Sequence, residues 1–118
     1  MLPERASASY ARALAAQFGP GETVTLRRAS GTGAGDYAAR AWVTNTSASD
    51  VVGSVQQLRR KAIILADSVA GSGFPTPFLP KQDRLVWNGK VLAIMSVDDG
   101  SRRIQGALMA YEVELAGA

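Results

Sequence analysis

The chain of 118 residues contains no cysteine and no histidine. Without cysteine there is no disulfide, no thiolate nucleophile and no thiolate metal ligand. Without histidine the commonest general base and the commonest transition-metal ligand are gone. A Ser-His-Asp triad, a Cys-His dyad and the usual zinc sites cannot be built. Long apolar runs are missing as well. Nothing approaches the ~18 consecutive apolar residues of a transmembrane helix, so none is expected. No basic stretch leads into an apolar segment near residue 1, so no signal peptide is expected. The expectation is a protein that is not an enzyme, with no catalytic, cofactor-binding or metal-binding residues.

What is present is the composition of a folded chain. Hydrophobic residues make up 47% and charged residues 19%, values typical of globular domains. The length fits one domain, residues 1–118, able to bury a modest core. Thirteen basic residues against ten acidic give a net charge of +3. That excess is mild and fits an ordinary surface better than a dedicated polyanion-binding one.

Residues 3–18 read as an amphipathic helix. Pro3 suits a first turn and Glu4 the positive end of the helix dipole. Tyr10, Leu14 and Phe18 recur every four residues and share a face. Gly19-Pro20-Gly21 ends it. The remainder reads as β. Residues 22–28 alternate, with Val24 and Leu26 on one face; residues 37–44 alternate in turn, with Tyr37, Ala39, Ala41 and Val43 opposite Ala38, Arg40 and Trp42. Residues 45–50 are small and polar, a loop by composition. A third strand region covers 58–69, basic at Arg59-Arg60-Lys61 and apolar from Ile63 onward. Residues 70–80 hold Gly71, Gly73, Pro75, Pro77 and Pro80, which oppose regular structure. Residues 83–87 and 90–97 flank Asn88-Gly89, the strongest hairpin signal in the chain, since a type I′ turn needs two positive φ angles. A last strand is expected over 104–115. The fold class is mainly β: a small antiparallel β-barrel or sandwich over residues 22–115, with an N-terminal helix within residues 1–19.

Several motifs carry less than they suggest. Gly31-Thr32-Gly33-Ala34-Gly35 lacks the Gly-Lys-Ser/Thr ending of a phosphate loop and precedes a strand, so it reads as a hairpin loop. Asp98-Asp99-Gly100 lacks the alternate ligands and terminal Glu of a calcium loop, so it reads as a turn. The carboxylates are scattered, and nothing brings two together for acid–base work. Arg27, Arg28, Arg40, Arg59, Arg60 and Lys61, with Tyr37, Trp42, Trp87 and the phenylalanines, are the residue types of an OB-type single-strand binder. The reading that fills a small β core with the aromatics and places the basic residues at strand ends is favoured over it. Phe74 and Phe78 either cover one end of the barrel or dock on a neighbouring subunit.

The run Val51-Val52-Gly53-Ser54-Val55-Gln56-Gln57-Leu58-Arg59-Arg60-Lys61-Ala62-Ile63-Ile64-Leu65 resembles the central segment of the small neck proteins of tailed bacteriophages, the head-closure (stopper) and head–tail connector (adaptor) proteins. The resemblance continues through Pro75-Thr76-Pro77, Asp83-Arg84-Leu85-Val86-Trp87-Asn88-Gly89-Lys90, Ile94-Met95-Ser96-Val97 and Met109-Ala110-Tyr111-Glu112-Val113-Glu114-Leu115. It covers somewhat more than half of the chain. It departs from the family at Gln57-Leu58, where Gly-Asp often precedes the basic pair.

The resemblance implies a structural virion protein, made in the bacterial host cytoplasm and located at the head–tail interface. It would form a homo-oligomeric ring, hexameric or dodecameric, between the portal or adaptor and the tail terminator or tail tube. It would touch packaged double-stranded DNA without reading sequence, and no membrane. The segment bearing Asn45, Ser47, Ser49, Asp50, Gly53, Ser54, Gln56 and Gln57, with Arg59, Arg60 and Lys61 at its exit, is expected to face the channel. Phe74, Pro75, Pro77 and Phe78, with Tyr10 and Phe18 of the helix, are expected to contact subunits or partners. A tail-completion or tail-terminator ring is the alternative, and an OB-type single-strand binder a further one.

Overall fold

The computed structural model describes residues 3–29, 31, 33–52, 55–80, 82–100, 102–104 and 106–116; for 3–7, 45–52 and 55–59 the backbone alone is described. In chain order the elements are α1 (Pro3–Phe18), β1 (Glu22–Arg28), β2 (Gly35–Val52), β3 (Val55–Leu65), α2 (Ala66–Ser72), β4 (Asp83–Trp87), β5 (Lys90–Asp98), β6 (Arg103–Ile104), β7 (Ala107–Leu108) and β8 (Ala110–Ala116). Six strands close a barrel in the order β1-β2-β3-β8-β5-β4, with every pairing antiparallel. Closure removes the sheet edges that a short open sheet would leave unpaired.

Alternation decides what is inside. Val24 and Leu26 of β1, Ala39 and Ala41 of β2, Ala62 and Ile64 of β3, Leu85 of β4, Leu92 and Ile94 of β5, and Val113 and Leu115 of β8 fill the interior. A second cluster lies outside the barrel wall. Trp42, Ile63, Leu65 and Ala110 face outward, and α1 covers them with Leu14 and the partly buried Tyr10 and Ala11. The four-residue spacing thus does place one face of α1 on the sheet, while Phe18 at its end stays 42% exposed.

The hairpin at Asn88-Gly89 forms as its sequence demands, with φ of 50° and 74°. Three expectations are corrected. Residues 45–50, read as a loop, are strand: β2 runs on to Val52 and pairs with β3 out to Val52↔Val55. The third strand ends at Leu65, and 66–69 begin the short helix α2, which stops at Gly73 with φ of 82°. The last strand is broken. Residues 103–104 and 107–108 form their own small hairpin before β8.

Beyond Ala41, β2 has no further partner in β1. Before Arg59, β3 has none in β8. Residues 45–52 and 55–58 therefore form a two-stranded ribbon that leaves the barrel for roughly 15 Å, the reach of its shorter, returning strand at ~3.3 Å per residue. Its pairing shifts register between Asn45 and Ser49, as at a bulge, which bends and twists the strand locally.

The turn joining α1 to β1 offers a stability test. Gly19 (φ 96°) and Gly21 (φ 74°) both take conformations that cost an L-residue energy, but a Cβ on Gly19 meets nothing within 4 Å, whereas one on Gly21 meets Trp42 Cε2 at 2.9 Å. The Trp42 ring is held by its Nε1–H donating to Gly19 O at 2.7 Å, so it cannot simply swing away. Gly19→Ala should cost about 1 kcal/mol, the backbone cost alone, and Gly21→Ala about 1–3 kcal/mol more for the crowding. Thermal unfolding of the two variants checks this; equal losses would contradict it.

Candidate functional site

Both mouths of the barrel are shut from within by an arginine set against an aromatic ring. At the mouth away from the ribbon, Arg28 points inward and is buried with Asp83. Its Nε and Nη2 donate to the two Asp83 carboxylate oxygens at 2.9 Å each, and Nη2 also donates to Pro77 O at 3.0 Å. Leu79 N–H donates to Asp83 Oδ2 at 2.7 Å, and Asp83 N–H returns to Leu79 O at 2.9 Å. The forked donors of arginine match a carboxylate in this way, where an ammonium could not. The loop between α2 and β4 is thereby tied to the barrel rim, and it carries the cis Thr76-Pro77 bond.

That tie drives Phe74 and Phe78 inward. Phe74 lies under the Arg28 guanidinium, 4.9 Å from ring centroid to Cζ. The rings of Tyr37, Phe74, Phe78 and Tyr111 then follow one another across the mouth, with centroids 5.3, 4.9 and 4.9 Å apart. The edge-to-face contacts in this row are the favoured aromatic geometry. Burial pushes the Tyr111 hydroxyl above its ordinary pKa, with nearby Asp99 adding to the effect and Arg103 opposing it, so Tyr111 stays neutral in its row. Tyr37 donates to Gly33 O at 2.7 Å. A Cβ on Gly33 would sit 2.6 Å from Pro75 Cγ, so the β1–β2 loop and the Pro-rich loop are in direct contact.

At the ribbon mouth Arg60 is the inward residue. It is 8% exposed, with its Cζ 5.1 Å from the Trp87 ring centroid. The indole N–H of Trp87 donates to the Glu22 carboxylate. Cation–π contacts of this kind strengthen where water is excluded. The barrel is therefore a plugged body and not a conduit.

These placements redistribute the expected site residues. Asn45, Ser47, Ser49 and Asp50 lie on the outgoing strand of the ribbon, and Gln56, Gln57 and Arg59 on the returning one; Gly53 and Ser54 lie outside the described residues. Lys61 is exposed at the ribbon's base. Arg60 is not channel-facing: the β3 alternation that turns Ala62 and Ile64 into the core turns Arg60 inward too. Phe74 and Phe78 are inside the barrel end, which decides in favour of covering it and against presenting them to a partner. Pro75 packs on Gly33, and Pro77 gives its carbonyl to Arg28. Tyr10 is engaged within the chain, accepting from Arg102 Nη1 at 2.6 Å. Of the expected contact residues Phe18 and Pro77 are exposed, and Phe18 lies beside a groove of about 240 Å³ lined also by Gly21, Glu22, Trp42, Val43 and Thr44.

Among the described side chains the OB-type set is not gathered on one surface. Trp42, Phe74 and Phe78 are buried, and Phe18 is the one exposed aromatic side chain among the described residues. The arginines are likewise taken up. Arg27 bridges Asp36 at 2.9 Å, and its guanidinium holds that carboxyl below the usual range. Arg40 caps Pro20 O and lies over Trp42, 5.2 Å from its ring centroid. Among the described residues no group of acidic side chains is placed to hold a metal ion, and no helix is long and apolar enough to cross a membrane.

Removing one partner of the buried pair should be costly. Asp83→Ala leaves the Arg28 guanidinium buried without its carboxylate, and should cost about 3–5 kcal/mol in urea unfolding. The double variant Arg28→Met with Asp83→Leu should lose less, since no charge is then stranded. A single variant as stable as the parent would contradict this account. No protein-family model, curated protein or solved structure matches the chain.

Proposed function

We propose that the chain is a structural subunit of the neck of a tailed bacteriophage. It forms a ring between the portal or adaptor and the tail, closes the DNA-filled head and docks the tail. The reading starts from the resemblance of residues 51–65 and the segments after them. The observation that carries it further is the ribbon. Among the described residues the barrel interior is filled by side chains, so what they present is an outer surface and a projecting arm. A two-stranded ribbon is marginally stable on its own in water. One that leaves its barrel for roughly 15 Å fits a role completed by neighbours.

Such an arm suits the channel end of a ring subunit. Its sequence is small and polar over Asn45, Ser47, Ser49 and Asp50, the composition of a segment that lies against DNA or neighbouring arms. Lys61, exposed at its base, supplies positive charge to phosphates or to acidic neighbours, a contact that positions without reading sequence. Phe18 and its groove sit at the same end of the barrel and supply an apolar contact for an adjacent subunit. The same arrangement suits a tail-terminator ring, which differs in its partner: tail tube in place of portal complex.

The test is to cut the ribbon back, joining Asn45 to Arg60 through an Asn-Gly turn, in an otherwise intact virion. The barrel should fold and rings should assemble, while filled heads leak DNA. Heads that keep their DNA and accept tails normally would contradict the assignment of the ribbon to the channel.

A further inference from the structure

The turn between β4 and β5 carries the chain's one Asn-Gly step. An asparagine followed by glycine is able to react with its own main chain. The glycine nitrogen adds to the side-chain carbonyl carbon Cγ, and glycine alone puts no Cβ in the way. The chain has two asparagines, and the other, Asn45, is followed by the β-branched Thr46, which crowds that approach. Asn88 and Gly89 are both exposed, and a Cβ on Gly89 would meet nothing within 4 Å. Water therefore reaches the turn from outside. Asp99-Gly100 is the one Asp-Gly step, and there the glycine nitrogen is held, its N–H donating to Asp98 Oδ1 at 2.8 Å.

Backbone geometry sets the rate. Asn88 has φ of 50° and Gly89 of 74°, in a two-residue turn closed by the Trp87↔Lys90 pair. Those are type I′ angles, for which ψ of the first residue is about +30°. At that ψ the Gly89 nitrogen points away from the Asn88 side chain. Turning the 88–89 peptide over gives a type II′ turn, with φ at Asn88 little changed and ψ about −120°. The nitrogen then eclipses Cβ and meets Cγ. Both are hairpin turns, so the strands stay paired through the flip, but the second suits glycine and an L-residue visits it rarely. We propose that Asn88 is a self-modification site of the folded chain, reached by this flip, and that its isoaspartyl product unseats Trp87 at the ribbon mouth. The Gly89 N–H and Asn88 Cγ–Nδ2 bonds break, the N–Cγ bond forms, and ammonia leaves with the proton. Water then opens the cyclic imide at either carbonyl. One opening gives aspartate. The other gives isoaspartate, which routes the main chain through Cγ and so lengthens it. A two-residue turn cannot absorb the added carbon and hold the Trp87↔Lys90 register, which the turn's length fixes. Trp87 is the ring that meets Arg60 and donates to Glu22, so that closure is what the product disturbs. The chemistry needs no partner and is independent of the neck reading.

Storage of the purified whole chain in mildly alkaline buffer, folded and in urea, tests this, with peptide mass spectrometry reading the amide at each asparagine. Asn88 should lose its amide in both samples, about tenfold to hundredfold more slowly in the folded chain, where the flip must precede attack. Asn45 should lag behind Asn88 in urea. The aspartyl and isoaspartyl chains are then separated, and the Trp87 indole N–H is followed by NMR. Asn88→Asp keeps a turn-forming Asp-Gly step and shows the effect of charge alone. Its indole signal should stay close to the parent's, while the isoaspartyl chain's should be displaced. A folded chain whose Asn88 amide outlasts that range would overturn the proposal. So would equal rates in the two samples, which would leave the turn without control, and an isoaspartyl chain whose Trp87 signal stays with the parent's.

Discussion

The buried pair of Arg28 and Asp83 is the constraint on which the closed barrel depends. A buried ion pair is a weak source of net stability, because desolvation offsets much of the attraction. What it supplies here is position. Arg28 is the last residue of β1 and Asp83 the first of β4, opposite one another in register. Their contact fixes where β4 begins. Through Pro77 O and the Leu79 amide it also fixes the path of the loop before it. That path delivers Phe74 and Phe78 into the barrel, and they complete a core that the strands alone would leave open at one end.

The other mouth uses the same device with other residues: Arg60 over Trp87, and Trp87 on Glu22. Most of the basic residues that look like a binding patch along the sequence are thus structural. Arg28 and Arg60 are closures, Arg40 caps the turn after α1, and Arg102 ties β8 to α1 through Glu112 and Tyr10. Among the described residues, the ribbon with Lys61 at its base and the Phe18 groove remain open at the surface.

Much of this was legible along the chain. The helix shows in Pro3 and in the spacing of Tyr10, Leu14 and Phe18. The strands show in alternation, and the β4–β5 hairpin in Asn88-Gly89. Two kinds of feature were not legible. One is structure that composition disguises. Residues 45–50 are small and polar and carry a loop's composition, yet they continue a strand because β3 lies alongside to pair with them. Residues 66–69 follow an apolar strand without a break, and they turn helical only because the chain must leave the barrel there. The other kind is pairing across distance. Nothing near Arg28 announces Asp83, 55 positions away, and nothing near Arg60 announces Trp87. Alternation from Ala62 and Ile64 was the signal available for Arg60, since two positions earlier on the same strand faces the same side.

The central claim is that a rigid, plugged barrel carries a ribbon whose structure is completed by its partners. Hydrogen exchange of the ribbon amides, 45–52 and 55–58, with the chain alone and then bound to portal–adaptor complex from the same genome, tests it most directly. The account predicts fast exchange in the free chain, as for a lone two-stranded ribbon, and strong protection on the complex, with the barrel amides slow in both. Ribbon amides that exchange at the same rate in both states would contradict it.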